Sequence, residues 1–266
     1  MYVFSSRKKT NFSFLTLAVG LLVFVSMSSA IIKSSAQSNS NQQNPAATFT
    51  VTNTNDSGTG SLRQAILNAN ATAADDVIDF AIPAGSAGCT SGVCTITLTS
   101  GELAVNDAAT AGTLTITNST GASNLLISGN NTSRVFFVNP GANLMINGVT
   151  ITKGNGTGST NLGYLNFGGG VVNTGTLTLT NSTITSNRAI IGGGIYNNTG
   201  TLTLTNSTVS GNIGDGRGGG IYNIGGTTNL TGSTVSGNSA SFLGGGIYSN
   251  GTLTLTNSTV SGNSAT

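Results

Sequence analysis

Histidine is absent from this chain of 266 residues, charged side chains make up 6% of it, and cysteine occurs only twice. Each shortage narrows what the protein can do. Without histidine there is no imidazole for acid–base work and no His-ligated metal. The carboxylates are Asp56, Asp75, Asp76, Asp79, Glu102, Asp107 and Asp215, and all but Asp215 precede the regular repeat. A polysaccharide lyase or hydrolase needs clustered carboxylates, for calcium or for a two-carboxylate mechanism, or a positioned Lys, Arg or His. Asp75 and Asp76 are adjacent and read as a solvated turn rather than a cation site. Asp215 stands in a corner loop with Arg217, where water is its expected partner. No catalytic, cofactor-binding or metal-ligating residue is assigned, and no cofactor is expected.

Basic residues are scarce as well, and several of them sit at one end. Arg7, Lys8 and Lys9 precede an uncharged apolar run, Phe12 to Val25, followed by small residues. This is the pattern of an export signal, with cleavage expected after Ala30 or Ala36. The apolar run is short for a membrane span, so a retained anchor helix is the lesser alternative. Without residues 1–36 the chain keeps five basic against seven acidic residues, a net charge of −2. Nothing in that balance suggests a nucleic-acid partner.

Glycine, by contrast, is abundant at 39 residues, and it recurs in a pattern. The stretch GGGIYNNTGTLTLTNSTVSGN, residues 192–212, repeats along the second half of the chain. Val171, Ile195, Ile221 and Ile247 hold one equivalent position, Leu179, Leu204, Leu230 and Leu255 a second, and Ile184, Val209, Val235 and Val260 a third, at intervals of 24 to 26 residues. A fixed period of this size marks a solenoid, whose coils bury their apolar side chains only by stacking. Within a coil, Leu202 and Leu204 alternate with Thr201, Thr203 and Thr205, which is strand periodicity. Triple glycines and Asn-Gly pairs supply the positive φ of corners, and a helical repeat would not carry them. The leucine-rich-repeat pattern and the repeated aspartates of calcium-binding nonapeptides are both missing. The fold read from this is all-β, a parallel β-helix with the aliphatic ladders inside. Asn187, Asn212, Asn238 and Asn263 are expected to stack at one corner, and Asn181, Asn206 and Asn257, broken by Gly232, at another. Thr176, Thr201, Thr227 and Thr252 are expected to form an outer ladder, beside Thr180, Thr205, Thr231 and Thr256. Asn229 interrupts the column between them, Thr178, Thr203 and Thr254.

Residues 37–47, QSNSNQQNPAA, read as a linker and residues 48–94 as an N-terminal cap of strand, helix and strand. Phe49 and Val51 mark the first strand, Ser61 with Gln64 a capping box, and Leu62, Ala65, Ile66 and Ala69 the buried helix face. Val77, Ile78 and Phe80 form the next strand. Cys89 and Cys94, close together in an exported chain, read as a disulfide that staples a small loop, since a metal would need further ligands. Residues 95–266 are the β-helix rungs, the early ones irregular. Gly154 to Phe167 interrupts the period and is expected to leave the wall as a lateral loop, a candidate binding element. Gly214 to Gly219 satisfies a dinucleotide-binding glycine pattern, but no acidic residue follows it, and 39 glycines produce such matches by chance.

Two resemblances attach to these residues. Gly192-Gly193-Gly194-Ile195 and Val209-Ser210-Gly211-Asn212 resemble the Gly-Gly-Ala-Ile and Phe-x-x-Asn repeats of the chlamydial polymorphic outer-membrane protein family, with Gly194 and Val209 departing from that pattern. Gly60-Ser61-Leu62-Arg63-Gln64-Ala65 is similar to the Cys-Ser-Leu-Arg-Glu-Ala segment that opens many bacterial surface β-helix proteins, with Gly60 and Gln64 departing. The resemblances imply a right-handed β-helix, exported to the cell surface or outer membrane, with an adhesion-like role toward a surface glycan or a host or neighbour-cell protein. A polysaccharide lyase-like enzyme on the same fold is the alternative, and a structural or ice-binding threonine solenoid a third reading. The last rung, around Leu253, Leu255 and Val260, lacks a polar cap. A truncated chain, with further rungs or an anchor beyond Thr266, is expected, as is end-to-end self-association.

Overall fold

In the strand Thr201–Thr205, Leu202 and Leu204 are fully buried while the threonines between and beside them face outward, so the period-two pattern sets the wall of the protein. The computed structural model describes residues 46–106, 112–119, 124–158 and 161–266. The expected export signal, most of the expected linker and Asp107 lie outside the described residues.

The chain forms a β-solenoid of stacked, in-register parallel strands. The first sheet runs through Thr48–Val51, Asp76–Phe80, Thr113–Thr117, Asn143–Asn147, Thr176–Thr180, Thr201–Thr205, Thr227–Thr231 and Thr252–Thr256. The second contains Leu125–Ser128, Thr150–Thr152, Thr183–Thr185, Thr208–Ser210, Thr234–Ser236 and Thr259–Ser261, and the third contains Phe136–Val138, Val171–Asn173, Ile195–Asn198, Ile221–Ile224 and Ile247–Ser249. A fourth, shorter sheet of Arg188–Ile191, Ile213–Arg217, Ser239–Ala240 and Ser264–Ala265 closes the later rungs. Leu179, Leu204, Leu230 and Leu255 are direct partners in the ladder, as are Ile184, Val209, Val235 and Val260, and Val171, Ile195, Ile221 and Ile247. All of these join one core except in the last rung, where Ile247 is half-buried and Leu255 and Val260 are exposed because no described rung stacks on them.

The expected cap is not a separate layer. Its strands Thr48–Val51 and Asp76–Phe80 pair with each other in parallel and continue into the first sheet, so residues 48–94 are the start of the solenoid. Only the helix Leu62–Ala69 caps, laying Leu62, Ala65, Ile66 and Ala69 into the core. Half of its capping box forms: Ser61 Oγ accepts from Gln64 N at 3.2 Å, whereas the Gln64 side chain donates to Asn68 Oδ1 instead. Cys89 and Cys94 are joined by a disulfide across a short antiparallel hairpin at the start of the second sheet. Cys94 already lies in the strand Val93–Thr97, which pairs with Leu125–Ser128.

The corners explain the glycine content. Gly192 has φ +67°, and a Cβ on Gly193 or Gly194 would come within 2.3 or 2.5 Å of a carbonyl oxygen in the next rung, so stacking itself forbids side chains there. The same logic corrects the expected second asparagine stack. Asn181, Asn206 and Asn257 are exposed and hold φ of 48°, 50° and 50°, and Gly232 in the same column has φ +59°. Left-handed geometry selects Asn or Gly at that corner, and Gly232 fits it rather than breaking a ladder.

Asn187, Asn212, Asn238 and Asn263 do stack, each Nδ2 donating to the next Oδ1 at 2.9–3.0 Å. A further interior ladder runs through Asn173, Asn197 and Asn223 to Ser249, at 2.7–2.9 Å. Ser207, Ser233 and Ser258 each accept from the backbone N of the serine one rung earlier, Ser182, Ser207 and Ser233. On the outside of the third sheet Tyr196, Tyr222 and Tyr248 stack with ring centroids 5.6 and 4.7 Å apart and nearly parallel planes.

Candidate functional site

The broadest regular surface is the outer face of the first sheet. From Thr113–Thr117 onward its strands are five residues long, so three outward columns run along it. Thr176, Thr201, Thr227 and Thr252 form one edge column, preceded by Thr113 and Asn143. Thr180, Thr205, Thr231 and Thr256 form the other, preceded by Thr117 and Asn147. The middle column is Thr115, Met145, Thr178, Thr203, Asn229 and Thr254. Neighbours stand about 4.8 Å apart across rungs and about 6.6 Å apart along a strand. From Thr176 to Thr256 the threonine hydroxyls of this face make no hydrogen bond to another described residue, so solvent or a ligand satisfies them. Met145 and Asn229 interrupt the lattice.

Most of the described carboxylates are occupied elsewhere. Asp75 is exposed, as expected, and its Oδ1 accepts from Thr113 N at 2.7 Å, whereas Asp76 is buried at the start of a strand and accepts from Ala47 N at 2.8 Å and from the Thr72 hydroxyl. Asp56 pairs with Arg63 at 2.7 Å. Burial pushes the Asp56 carboxyl up, but hydrogen bonds from Ser100 and Arg63, the Arg63 charge and a backbone bond at Thr99 together hold it below the usual carboxylate value. Asp215 is bound by Arg188 of the previous rung, Nη2 to Oδ1 at 2.9 Å, not by water alone. Asp79 keeps one buried oxygen without a hydrogen-bond partner. Among the described residues, no three His, Cys, Asp or Glu side chains converge as a metal site.

The lateral loop is not free. Buried Arg134 donates to Glu102 at 2.6 Å and to the carbonyls of Tyr164, Phe167 and Gly168 at 2.6–2.9 Å, tying the loop to the wall. Burial lowers the Arg134 pKa to about 10 against the support of Glu102. Tyr164 and Phe167 then lie on Phe137 and Tyr196, with centroids 5.3 and 4.7 Å apart. The excursion is therefore a clasp over the aromatic column rather than a loop that leaves the wall.

The tyrosine ladder and the inner asparagine ladder could have been read from their repeat spacing, since Asn173, Asn197 and Asn223 recur as regularly as the aliphatic positions. Nothing in the sequence announces the Glu102–Arg134 pair, whose members are 32 residues apart in an irregular region. Compared with known protein families and with curated proteins, the chain matches no family model and no curated sequence.

Proposed function

We propose that the chain is an exported, non-enzymatic β-solenoid of the cell surface or outer membrane, akin to the polymorphic outer-membrane repeat proteins, and that its threonine face binds surface glycan. The observation that carries this reading is the face itself: a rigid, uncharged lattice whose threonine hydroxyls from Thr176 to Thr256 bond no other described residue and whose methyl groups offer apolar contact to sugar C–H faces. Such a surface recognises an extended, repetitive ligand, and the sheet costs little reorganisation on binding. Charged residues support the same reading, because Asp56, Asp75, Asp76, Glu102 and Asp215 are committed to ion pairs or backbone bonds rather than grouped around a cleft. Interruption by Met145 and Asn229 favours glycan over an ice lattice, which demands unbroken spacing.

The test is incubation of the purified protein with pectin, alginate and other acidic polysaccharides, with and without calcium, following both retention and chain cleavage. Binding without turnover is expected. Turnover that disappears in the Asp75→Ala, Asp76→Ala double variant would promote the lyase-like alternative. The intact mass of the exported form, expected to begin at Ile31 or Gln37, checks the secretion half of the proposal.

A further inference from the structure

On the wall formed by the fourth sheet, Ile190, Phe242 and Leu243 are exposed, Phe242 by 69%. They belong to successive rungs around a residue with no side chain. Phe242 N donates to Gly216 O at 2.9 Å, and a Cβ on Gly216 would come within 2.9 Å of Ile190 O and 3.4 Å of Ile190 Cγ2, so Gly216 lies between Ile190 and Phe242 and its rung carries no side chain there. The missing side chain in the middle rung leaves the wall open between Ile190 and Phe242. In the neighbouring column Arg217 is the ladder partner of both Ile191 and Leu243. Together these six residues line an open cleft of about 410 Å³, within the roughly 300–1,000 Å³ of small-ligand sites.

Arg217 gives the cleft its polarity. Arg188 is neutralised by Asp215, whose two oxygens take its Nε at 3.1 and 2.9 Å. The Arg217 guanidinium makes no ion pair or side-chain hydrogen bond with another described residue. The wall thus carries one uncompensated cation beside four apolar side chains. A sugar ring would set its hydroxyls against Ile190, Ile191, Phe242 and Leu243, whose side chains offer no hydrogen-bond partner, and such burial is costly. An aromatic ring suffers no such cost and stacks on Phe242. A carboxylate matches the forked guanidinium in geometry and charge.

We propose that this cleft binds an aryl carboxylate, with the ring between Ile190 and Phe242 and the carboxylate on Arg217. The site is on a different sheet from the threonine face and stands or falls independently of it.

The test titrates cinnamate, its neutral amide and glucuronate into the full chain, with binding read by calorimetry and ligand-observed NMR. Saturable binding of cinnamate is expected, with the amide and glucuronate weaker by about tenfold or more. Arg217→Gln should abolish the preference of acid over amide. Phe242→Ala should weaken cinnamate by about tenfold without shifting the thermal melt, since Phe242 is exposed. The proposal is overturned if cinnamate does not saturate by about 10 mM, if glucuronate binds as well as cinnamate, or if either variant binds like the wild type.

Discussion

Replacing Asn212 by leucine keeps the branching of a fully buried side chain and removes its polarity, with two methyl groups bulkier than the amide they replace. Asn212 Oδ1 accepts from Asn187 N and Nδ2, both at 3.0 Å, and its Nδ2 donates to Ile184 O and Asn238 Oδ1, both at 2.9 Å. In Asn212→Leu the Asn187 N–H loses its acceptor in the interior, where water does not reach. An orphaned buried donor costs about 1–3 kcal/mol and each lost hydrogen bond about 0.5–1.5 kcal/mol. With the bonds to Ile184 and Asn238 included, the total is about 2–6 kcal/mol. For a domain of this size each kcal/mol lowers Tm by roughly 2–4 °C, so a fall of about 4–24 °C is expected by circular dichroism and calorimetry. Asn263→Leu is the control. That residue makes the same kind of bonds at the half-buried last rung, where water can replace them, and its loss should be less than half as large. If Asn212→Leu melts with the wild type, or if Asn263→Leu falls as far, the asparagine ladder does not hold the rungs together.

Leu204→Asp should unfold the neighbouring rungs, because it sets an unpaired carboxylate in the core, whereas Thr203→Asp on the outer face should cost no more than about 0.5 kcal/mol. Equal losses in denaturant titrations would mean that the strand faces are reversed. Glu102→Ala leaves the Arg134 charge uncompensated in the interior and should cost about 3–5 kcal/mol, with faster proteolysis between residues 154 and 168. Unchanged cleavage there would refute the clasp. Asp56 has a folded pKa below its unfolded value, so its contribution is complete above the ordinary carboxylate pKa of about 3.9 and is lost as pH falls through the lowered folded value. Melts on the acid side should therefore show a wild-type decline that Asp56→Asn lacks, and parallel curves would contradict the assignment.

The period, the strand character and the three aliphatic ladders are all legible in the sequence because each rung repeats its side chains in register. Leu204 could be placed inside and Thr203 outside from alternation alone. The corners were harder, since Asn in a repeat serves two different ends: Asn212 is buried and bonded to its stacked neighbours, while Asn206 is exposed and selected for φ of 50°. Composition does not separate the two. Gly232 in the Asn206 column is the residue that could have done so, because glycine replaces a left-handed residue but cannot replace a ladder amide. Elements away from the repeat left no such trace. Arg134 meets Glu102 and three loop carbonyls through tertiary placement alone, and Asp215 finds Arg188 only once the rungs are stacked. The cleft at Gly216 has no signature in the sequence for the same reason, because it is formed by three successive rungs that differ from one another.

The threonine face as a glycan-binding surface is tested most directly by a glycan array probed with three forms of the protein. One is the wild type. The second carries Thr178→Lys, Thr203→Lys and Thr254→Lys in the middle column of the first sheet, and the third carries Thr183→Lys, Thr208→Lys and Thr234→Lys on the outside of the second sheet. The two lysine forms, which both set like charges on neighbouring strands, should melt comparably and only slightly below the wild type, since every substitution points outward. The account predicts that the wild type and the third form bind the same glycans and that the second form binds none of them. A wild type that binds no glycan, or a second form that binds as the wild type does, would contradict it.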